Sequence, residues 1–443
     1  MKRARRVNRI AGAVVAAAVV ALAGLWAASA LTPGAASAAP PSPHLSTGAT
    51  TDTCAACHRS HTGQDENLVK SSVPQSTLCF SCHDGTGANS NVAAEFSEIP
   101  VTIPANDTDT SSLYSHPATT ASTHTSAQVD EFAGVPNRHS ECSDCHNPHT
   151  VSAAATTESG SGWTASGALT GASGIAASTP LAWKNPIGYE YELCLKCHSR
   201  YTQLLSYSKE SYKKTDKAAE FDPSTASYHP VEAPGKNTTT EMANSLAGGT
   251  RWRFTTASTI RCVNCHGDYR SFAGAPPPNA RLAPHSSRYR GLLIANYRDR
   301  NLKPQNEAYW PADFELCFLC HSPTPFSDGS GGSRTDTNFP VHGKHLVGIA
   351  TPGSDSSLDI DDTLDPGRGN AICAECHYRL HGTILAPWAA NRGYSRGVNF
   401  APDVQPRSGQ TNPPGPPSPL WSGPASRTCS LICHGKDHDA KSY

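Results

Sequence analysis

Residues 54–61 read CAACHRSH, and residues 78–83 read LCFSCH. Both stretches contain two cysteines that are separated by two residues and followed at once by histidine. All sixteen cysteines of the chain fall into eight such pairs, and only the last pair has three intervening residues. The pairs and their histidines are Cys54/Cys57/His58, Cys79/Cys82/His83, Cys142/Cys145/His146, Cys194/Cys197/His198, Cys262/Cys265/His266, Cys317/Cys320/His321, Cys373/Cys376/His377 and Cys429/Cys433/His434.

This spacing indicates covalent haem attachment. Two thiols on one short turn can form thioethers with the two vinyl groups of a haem c, and the adjacent imidazole then lies beneath the iron. Disulfides and structural zinc also use paired cysteines, but neither explains a histidine after every pair. The sequence therefore predicts eight covalently attached haems c, which are numbered here in chain order. The eight motif histidines are the predicted proximal iron ligands, and the eighth motif has a looser turn.

The composition predicts few regular elements. Among the 443 residues, 37% are apolar, and the chain has 35 glycines and 35 prolines. A conventional large core is therefore not expected, and haem is expected to supply the missing apolar surface. The predicted fold is mostly irregular coil with short α-helices around the haem attachment sites and little β-structure. A formal net charge of −1 argues against a nucleic-acid-binding protein, which needs a clustered basic surface.

The amino-terminal residues resemble an export signal. Basic residues precede an apolar run from Ile10 to Ala30, and small residues follow at Ala36, Ser37 and Ala38. We expect residues 1–38 to be a signal peptide, and an uncleaved membrane anchor is the alternative. No second apolar run of that length follows, so no membrane span is expected after cleavage. The mature protein is expected in the periplasm, outside the cell or at the cell surface.

With these motifs the chain resembles multihaem c-type cytochromes of the doubled CXXCH type. A unit of that family has an upstream histidine, then C-x-x-C-H-x-x-H, a spacer and L-C-x-x-C-H. Residues 44–83 and 139–198 match this unit, whereas the two later units depart from it. Tyr269 replaces the histidine three residues after the motif in the third unit. In the fourth, His381 lies one residue further on and Thr428 replaces leucine.

The first motif of each unit begins at Cys54, Cys142, Cys262 or Cys373, at similar intervals. This periodicity predicts four di-haem units, namely residues 39–110, 111–215, 216–335 and 336–443, stacked in an elongated array. Residues 151–179 are rich in Ala, Ser, Thr and Gly and are predicted to form surface loops. Residues 412–424 contain six prolines and are predicted to form an extended strap.

The sixth, or distal, ligand of each iron decides the function. The chain has 20 histidines but only two methionines, Met1 and Met242, so nearly all irons are expected to have two histidine ligands and low potentials. Such irons bind no substrate and exchange electrons. The candidate distal ligands are His44, His61, His116, His139, His149, His229, His285, His342, His345 and His381.

A histidine one turn after a motif leaves from the proximal face of its own haem and should ligate a neighbour. We expect His61 on the second haem, His149 on the fourth and His381 on the eighth. Of the upstream histidines, we assign His44 to the first haem, His229 to the fifth, and His342 or His345 to the seventh. We assign His285 to the sixth haem. For the third haem, His116, His124 and His139 compete.

A second scheme is also self-consistent. In it, His116, His229 and His342 each ligate the second haem of the preceding unit. The eighth iron then needs His438, or His44 of the partner subunit, and that bond would build a head-to-tail filament.

The resemblance implies an electron carrier in the periplasm, across the envelope or along the cell surface. Its partners would be redox proteins or extracellular electron acceptors. A rival hypothesis is an octahaem oxidoreductase that has one five-coordinate haem for nitrogen or sulfur oxyanion chemistry, although spare histidines weaken it. A third hypothesis is self-association into a conducting filament.

Overall fold

The computed structural model describes residues 44, 51–64, 67–71, 74–88, 90–97, 113–119, 140–177, 180–202, 216–269, 283–298, 310–326, 335–345, 371–383, 395–401, 404–407, 420–421, 427–433 and 436–443. The predicted signal peptide, most of the proline strap, His124, His139 and His434 lie outside these residues.

Most of the described chain is irregular coil with short helices, as predicted. The α-helices are α1 (Thr51–Ala55), α2 (Gln75–Phe80), α3 (Val92–Glu95), α4 (Cys142–Cys145), α5 (Glu190–His198), α6 (Lys217–Phe221), α7 (Thr240–Ala247), α8 (Glu315–Phe318), α9 (His342–His345) and α10 (Cys373–Cys376). Short 3₁₀ turns cover Gly167–Leu169, Arg200–Thr202, Cys262–Asn264, Pro311–Phe314, Thr324–Phe326 and Ser395–Gly397.

Helical turns carry the first seven motifs. In the first motif, the His58 amide donates a hydrogen bond to the Cys54 carbonyl at 2.9 Å. The same bond joins motif histidine to first cysteine in five others, at 2.8–3.0 Å, and the fourth motif lies inside α5. One closed turn therefore brings two thiols and one imidazole together, which is the arrangement that covalent haem attachment requires.

The eighth motif adopts a different structure. Its cysteines lie in a β-strand, β8 (Thr428–Cys433), which pairs with β7 (Leu420–Trp421) and β9 (Lys436–Ser442). The expectation of a helix at every attachment site is therefore wrong at this motif. The additional residue separates the cysteines by four positions, and the β-branched Thr428 and Ile432 favour an extended backbone.

The other strands are short and pair in antiparallel twos. They are β1 (Tyr114–Ser115) with β6 (Ser286–Ser287), β2 (Glu158–Ser159) with β3 (Gly162–Trp163), and β4 (Gly174–Ala176) with β5 (Ala182–Lys184). Strands β2 to β4 lie in the stretch predicted to form surface loops, so the prediction is wrong for these strands, whereas residues 151–157 form no helix or strand. Small residues allow this stretch to pack closely under α5. A Cβ atom on Gly174 would lie 2.3 Å from the Glu192 carbonyl oxygen.

The buried apolar residues form four small clusters. Three of them pack against motif cysteines, which are Cys317 and Cys373 in the first, Cys376, Cys429 and Cys433 in the second, and Cys265 and Cys320 in the third. The fourth contains Ile175, Leu195 and Ala218 and lies beside α5. The apolar interior is therefore divided among the attachment sites, consistent with a fold organised around haem.

Neighbouring units are joined by polar contacts. Gln75 of the first unit donates to Ser143 of the second at 2.9 Å. The Trp163 indole donates to the Thr259 carbonyl at 2.9 Å, which joins the second unit to the third. Between the third and fourth units, the Ser227 amide donates to the Thr383 hydroxyl at 3.1 Å.

Candidate haem-binding sites

Most motif histidines face another histidine across a narrow gap. With metal–nitrogen bonds of about 2 Å on each side, two imidazoles on one metal ion have ring centroids roughly 6 Å apart. The pairs that include a motif histidine have centroids 6.0–6.4 Å apart, and they are His58 with His149, His83 with His44, His146 with His285, His198 with His116, and His266 with His381. The rings are too far apart to touch and far enough apart to hold one iron between them.

The Nδ1 atoms of these rings are already engaged. Nδ1 of His58, His146, His266 and His377 donates to a backbone carbonyl at 2.7–3.1 Å. His83 and His321 contact serine hydroxyls at 3.2 and 3.3 Å. A hydrogen bond at Nδ1 fixes the tautomer and the ring orientation, and it leaves Nε2 free to ligate a metal.

Burial keeps the imidazoles neutral. Desolvation, followed by the charge of His116, lowers the pKa of His198 to about 3. Desolvation and the charge of His381 lower the pKa of His266 to about 4. A neutral imidazole, which has an unprotonated ring nitrogen, is the form that ligates iron.

The thiols show the order in which the attachment sites follow one another. Between units, the first cysteines of successive motifs lie near enough to shift the pKa of each other's thiols, in the pairs Cys79–Cys142, Cys194–Cys262 and Cys317–Cys373. Within units, the second cysteines are electrostatic neighbours. Burial raises the pKa of Cys57, Lys70 opposes that rise and the charge of Cys82 adds to it. Burial and the charge of Cys433 likewise raise the pKa of Cys376. The described sites therefore adjoin in sequence order.

The pairing of histidines differs from the sequence-based expectation. His44 rather than His61 faces the second motif histidine, and His149 faces the first rather than serving the fourth. His381 faces the fifth motif histidine instead of the eighth. His149 and His381 each face a motif histidine other than the one that they follow, and that histidine belongs to the preceding unit because consecutive units overlap.

Two further expectations for individual histidines are wrong. His285 faces the third motif histidine rather than the sixth. In the third unit it therefore takes the role of the histidine that Tyr269 replaces. His116 was considered for the third haem, or for the second haem of the preceding unit, but it faces the second motif histidine of its own unit. Tyr269 is instead buried and stacks edge-on with Tyr289.

The last three sites are less regular. Desolvation and then the charge of His229 lower the pKa of His321 to about 4, so His229 lies near the sixth motif histidine, whereas the sequence-based expectation placed it on the fifth haem. His342 has a pKa of about 3, through desolvation and then the charge of His377. Near the eighth motif, His345 faces His438 with centroids 6.2 Å apart.

Two buried carboxylates support distal imidazoles, and sequence reasoning missed both. Glu95 contacts Nδ1 of His285 at 2.6 Å, and Glu220 contacts Nδ1 of His381 at 3.2 Å. Glu220 is only 1% exposed and also pairs with Lys217 at 2.8 Å. Burial alone would raise the pKa of Glu220, but Lys217 and the His381 contact lower it to about 2. Neither glutamate has a fixed spacing from a motif that would have indicated its role.

The donor set fits covalent haem. All sixteen thiols are free of disulfides. Within the described ranges, no three or more His, Cys, Asp or Glu side chains converge where they could hold a metal ion. The same ranges contain no helix whose length and hydropathy would suffice to cross a bilayer.

Residues 47–88 match the family model of the doubled CXXCH motif. This segment contains the first two motifs and His61. The match supports a multihaem c-type cytochrome with doubled CXXCH motifs. No curated protein and no solved structure matches the chain.

Proposed function

Because the matched segment is typical of multihaem c-type cytochromes, we propose that the chain carries electrons through eight covalently attached haems c, most of them ligated by two histidines. The observation that carries this proposal is the set of facing histidine pairs at 6.0–6.4 Å. With haem bound, the two imidazoles of each pair would both ligate the iron and would leave substrate no open site there. The haem supplies one-electron chemistry, while the protein holds successive haems in order and tunes each potential.

The proposed path follows the order of the motifs. The thiol contacts bring the second motif of one unit to the first motif of the next, and the charge contacts link the two motifs within a unit. Electrons would enter near one terminal motif and leave near the other. The export signal favours a periplasmic, extracellular or cell-surface site of action. As partners we propose redox proteins, extracellular electron acceptors and a second copy of the chain.

The haem number is tested by an intact mass and a haem assay on the mature holoprotein. We expect eight haems per chain and no residues before the cleavage site. A mass corresponding to fewer haems would contradict the assignment of every motif, and a colourless protein would end the proposal.

The ligation is tested by adding carbon monoxide to the reduced protein. Irons with two histidine ligands should leave the absorbance spectrum unchanged, whereas a five-coordinate iron should bind carbon monoxide. The His149→Ala variant is the positive control, because it opens the iron at His58 alone. A response of assembled wild-type protein as large as that of the variant would instead favour the oxidoreductase hypothesis.

A further inference from the structure

The three junctions between successive units repeat one arrangement. At each junction, a histidine of the later unit faces the first motif histidine of the earlier unit. These histidines are His149, His285 and His381, opposite His58, His146 and His266. The first cysteines of the two motifs that meet there are neighbours.

A second contact stabilises each junction. The residue before the reaching histidine presents its carbonyl to Nδ1 of the earlier unit's upstream histidine. These contacts join His44 to Pro148 at 3.2 Å, His116 to Pro284 at 2.7 Å, and His229 to Leu380. At two junctions the backbone also pairs, since the His116 amide donates to His285 and the His229 amide to His381, at 3.1 and 2.9 Å. The junction is thus a repeated structural arrangement. Its later half consists of the reaching histidine and the residue before it, and its earlier half consists of the first motif histidine and the upstream histidine of the preceding unit.

The first unit has a later half that meets no earlier unit among the described residues. His61 follows its motif as His149 follows the second motif, three residues after the proximal histidine. Its side chain is exposed, and it makes no hydrogen bond, ion pair or ring contact with any described residue. Cys54, the first cysteine of this unit, is also exposed and has no thiol partner there.

The fourth unit has an earlier half that meets no later unit among the described residues. No described imidazole faces His377 at the 6 Å spacing found at the first motifs of the other three units. His342 lies as far along the sequence from His229 as His229 lies from His116, so it occupies the upstream position. Its Nδ1 contacts the Thr337 hydroxyl of its own segment at 3.1 Å rather than the carbonyl of a following unit.

We propose that a second copy of the chain forms the fourth junction, with His61 of the partner subunit as the distal ligand of the iron at His377. This inference rests on the proposed function, because it requires haem at the seventh motif. The contact joins unlike ends of two identical chains, so it does not close and builds a head-to-tail filament. The eighth motif of one chain then adjoins the first motif of the next, and the electron path continues across the boundary.

The internal competitor is His342, whose charge acts on His377 within the same chain. A single chain that closes its seventh iron with His342 would have no need of a partner. The variants His61→Ala and His342→Ala therefore form a matched pair. His61 is exposed, so its replacement is not expected to disturb folding.

The experiment compares the holoproteins by light scattering, electron microscopy and carbon monoxide binding after reduction. Wild-type protein should form fibres and bind no carbon monoxide. His61→Ala should remain monomeric, keep eight haems and bind about one carbon monoxide per chain, because one iron loses its ligand. Free imidazole should close that iron without restoring fibres. Added to wild-type protein, His61→Ala should shorten fibres in proportion to its amount, since it can accept a partner's histidine but cannot donate one.

Other results separate the two proposals. Wild-type protein that stays monomeric at every concentration would overturn the junction, as would fibres of His61→Ala indistinguishable from those of wild type. An open iron in His342→Ala, with none in His61→Ala, would assign the seventh iron to its own chain and also overturn it. By contrast, fewer than eight haems, or open irons in assembled wild-type protein, would count against the proposed function itself.

Discussion

Replacing Glu220 by glutamine should raise the potential of one haem, the fifth. The Glu220 carboxylate lies 3.2 Å from Nδ1 of His381, which faces His266. A negative acceptor increases the electron donation of the imidazole and stabilises ferric iron. Glutamine can still accept the hydrogen bond, but the bond becomes neutral and weaker by about 1 kcal/mol. For a one-electron couple this corresponds to an upward shift on the order of 50 mV.

A spectroelectrochemical titration of the holoprotein measures this shift as the movement of one component among eight. With both variants titrated above pH 8, Glu232→Gln is the matched control, because Glu232 is also a largely buried carboxyl and is charged at that pH, but it has no hydrogen bond to a histidine among the described contacts. Equal shifts in both variants would indicate a general charge effect and refute the role of the hydrogen bond. An unchanged titration of Glu220→Gln would refute the ligation of the fifth iron by His381.

Three further changes test other parts of the structure. Burial, and then the charges of Asp222, Asp216 and Glu192, raise the pKa of Glu232 to about 8. Between about pH 4.5 and 8 the folded state therefore keeps a proton that the unfolded state loses, so the free energy of unfolding falls as the pH rises. Glu232→Gln should therefore stabilise the protein at pH 8, by at most about 5 kcal/mol, and have no effect below pH 4, as denaturant midpoints at the two pH values would show. Cys142→Ser should remove one thioether of the third haem, and mass spectrometry after denaturation would show whether that haem stays attached through Cys145. Gly174→Ala should push a methyl group against the Glu192 carbonyl and cost about 1–3 kcal/mol, which thermal unfolding of the holoprotein can measure.

Sequence could predict what depends on local spacing. The turn that joins Cys54 to His58 involves residues adjacent in the chain, and the structure has that turn wherever two residues separate the cysteines. The distal pairing could not be predicted because it depends on how separate units overlap in space. Glu95 comes from the first unit and reaches His285 of the third, a contact between residues 190 positions apart. Nothing in the spacing of either residue indicates the other.

Composition also misled at one place for a physical reason. Residues rich in Ala, Ser, Thr and Gly suggested surface loops, yet small side chains also permit close backbone packing. Ile175 is fully buried in this stretch, beside Leu195 of the fourth motif helix. The low apolar content was a better guide to the whole chain, since the buried residues do form only small clusters at the attachment sites.

In the proposed arrangement, haems at first motifs and haems at second motifs would have different mechanical roles. His58 and His149 belong to different units, as do the other described pairs at first motifs, whereas His83 with His44 and His198 with His116 lie within one unit. An iron at a first motif would therefore join two units, and an iron at a second motif would stabilise one unit. It follows that His149→Ala should loosen the junction between the first two units and speed proteolysis between residues 97 and 140.

The His44→Ala variant, which opens an iron within the first unit, also removes the Nδ1 contact with Pro148, so His116→Ala is needed beside it as a second comparison. If all three variants are cleaved at the same rate in that segment, ligation across units does not hold the array together, and the polar contacts such as Gln75 with Ser143 must do so instead.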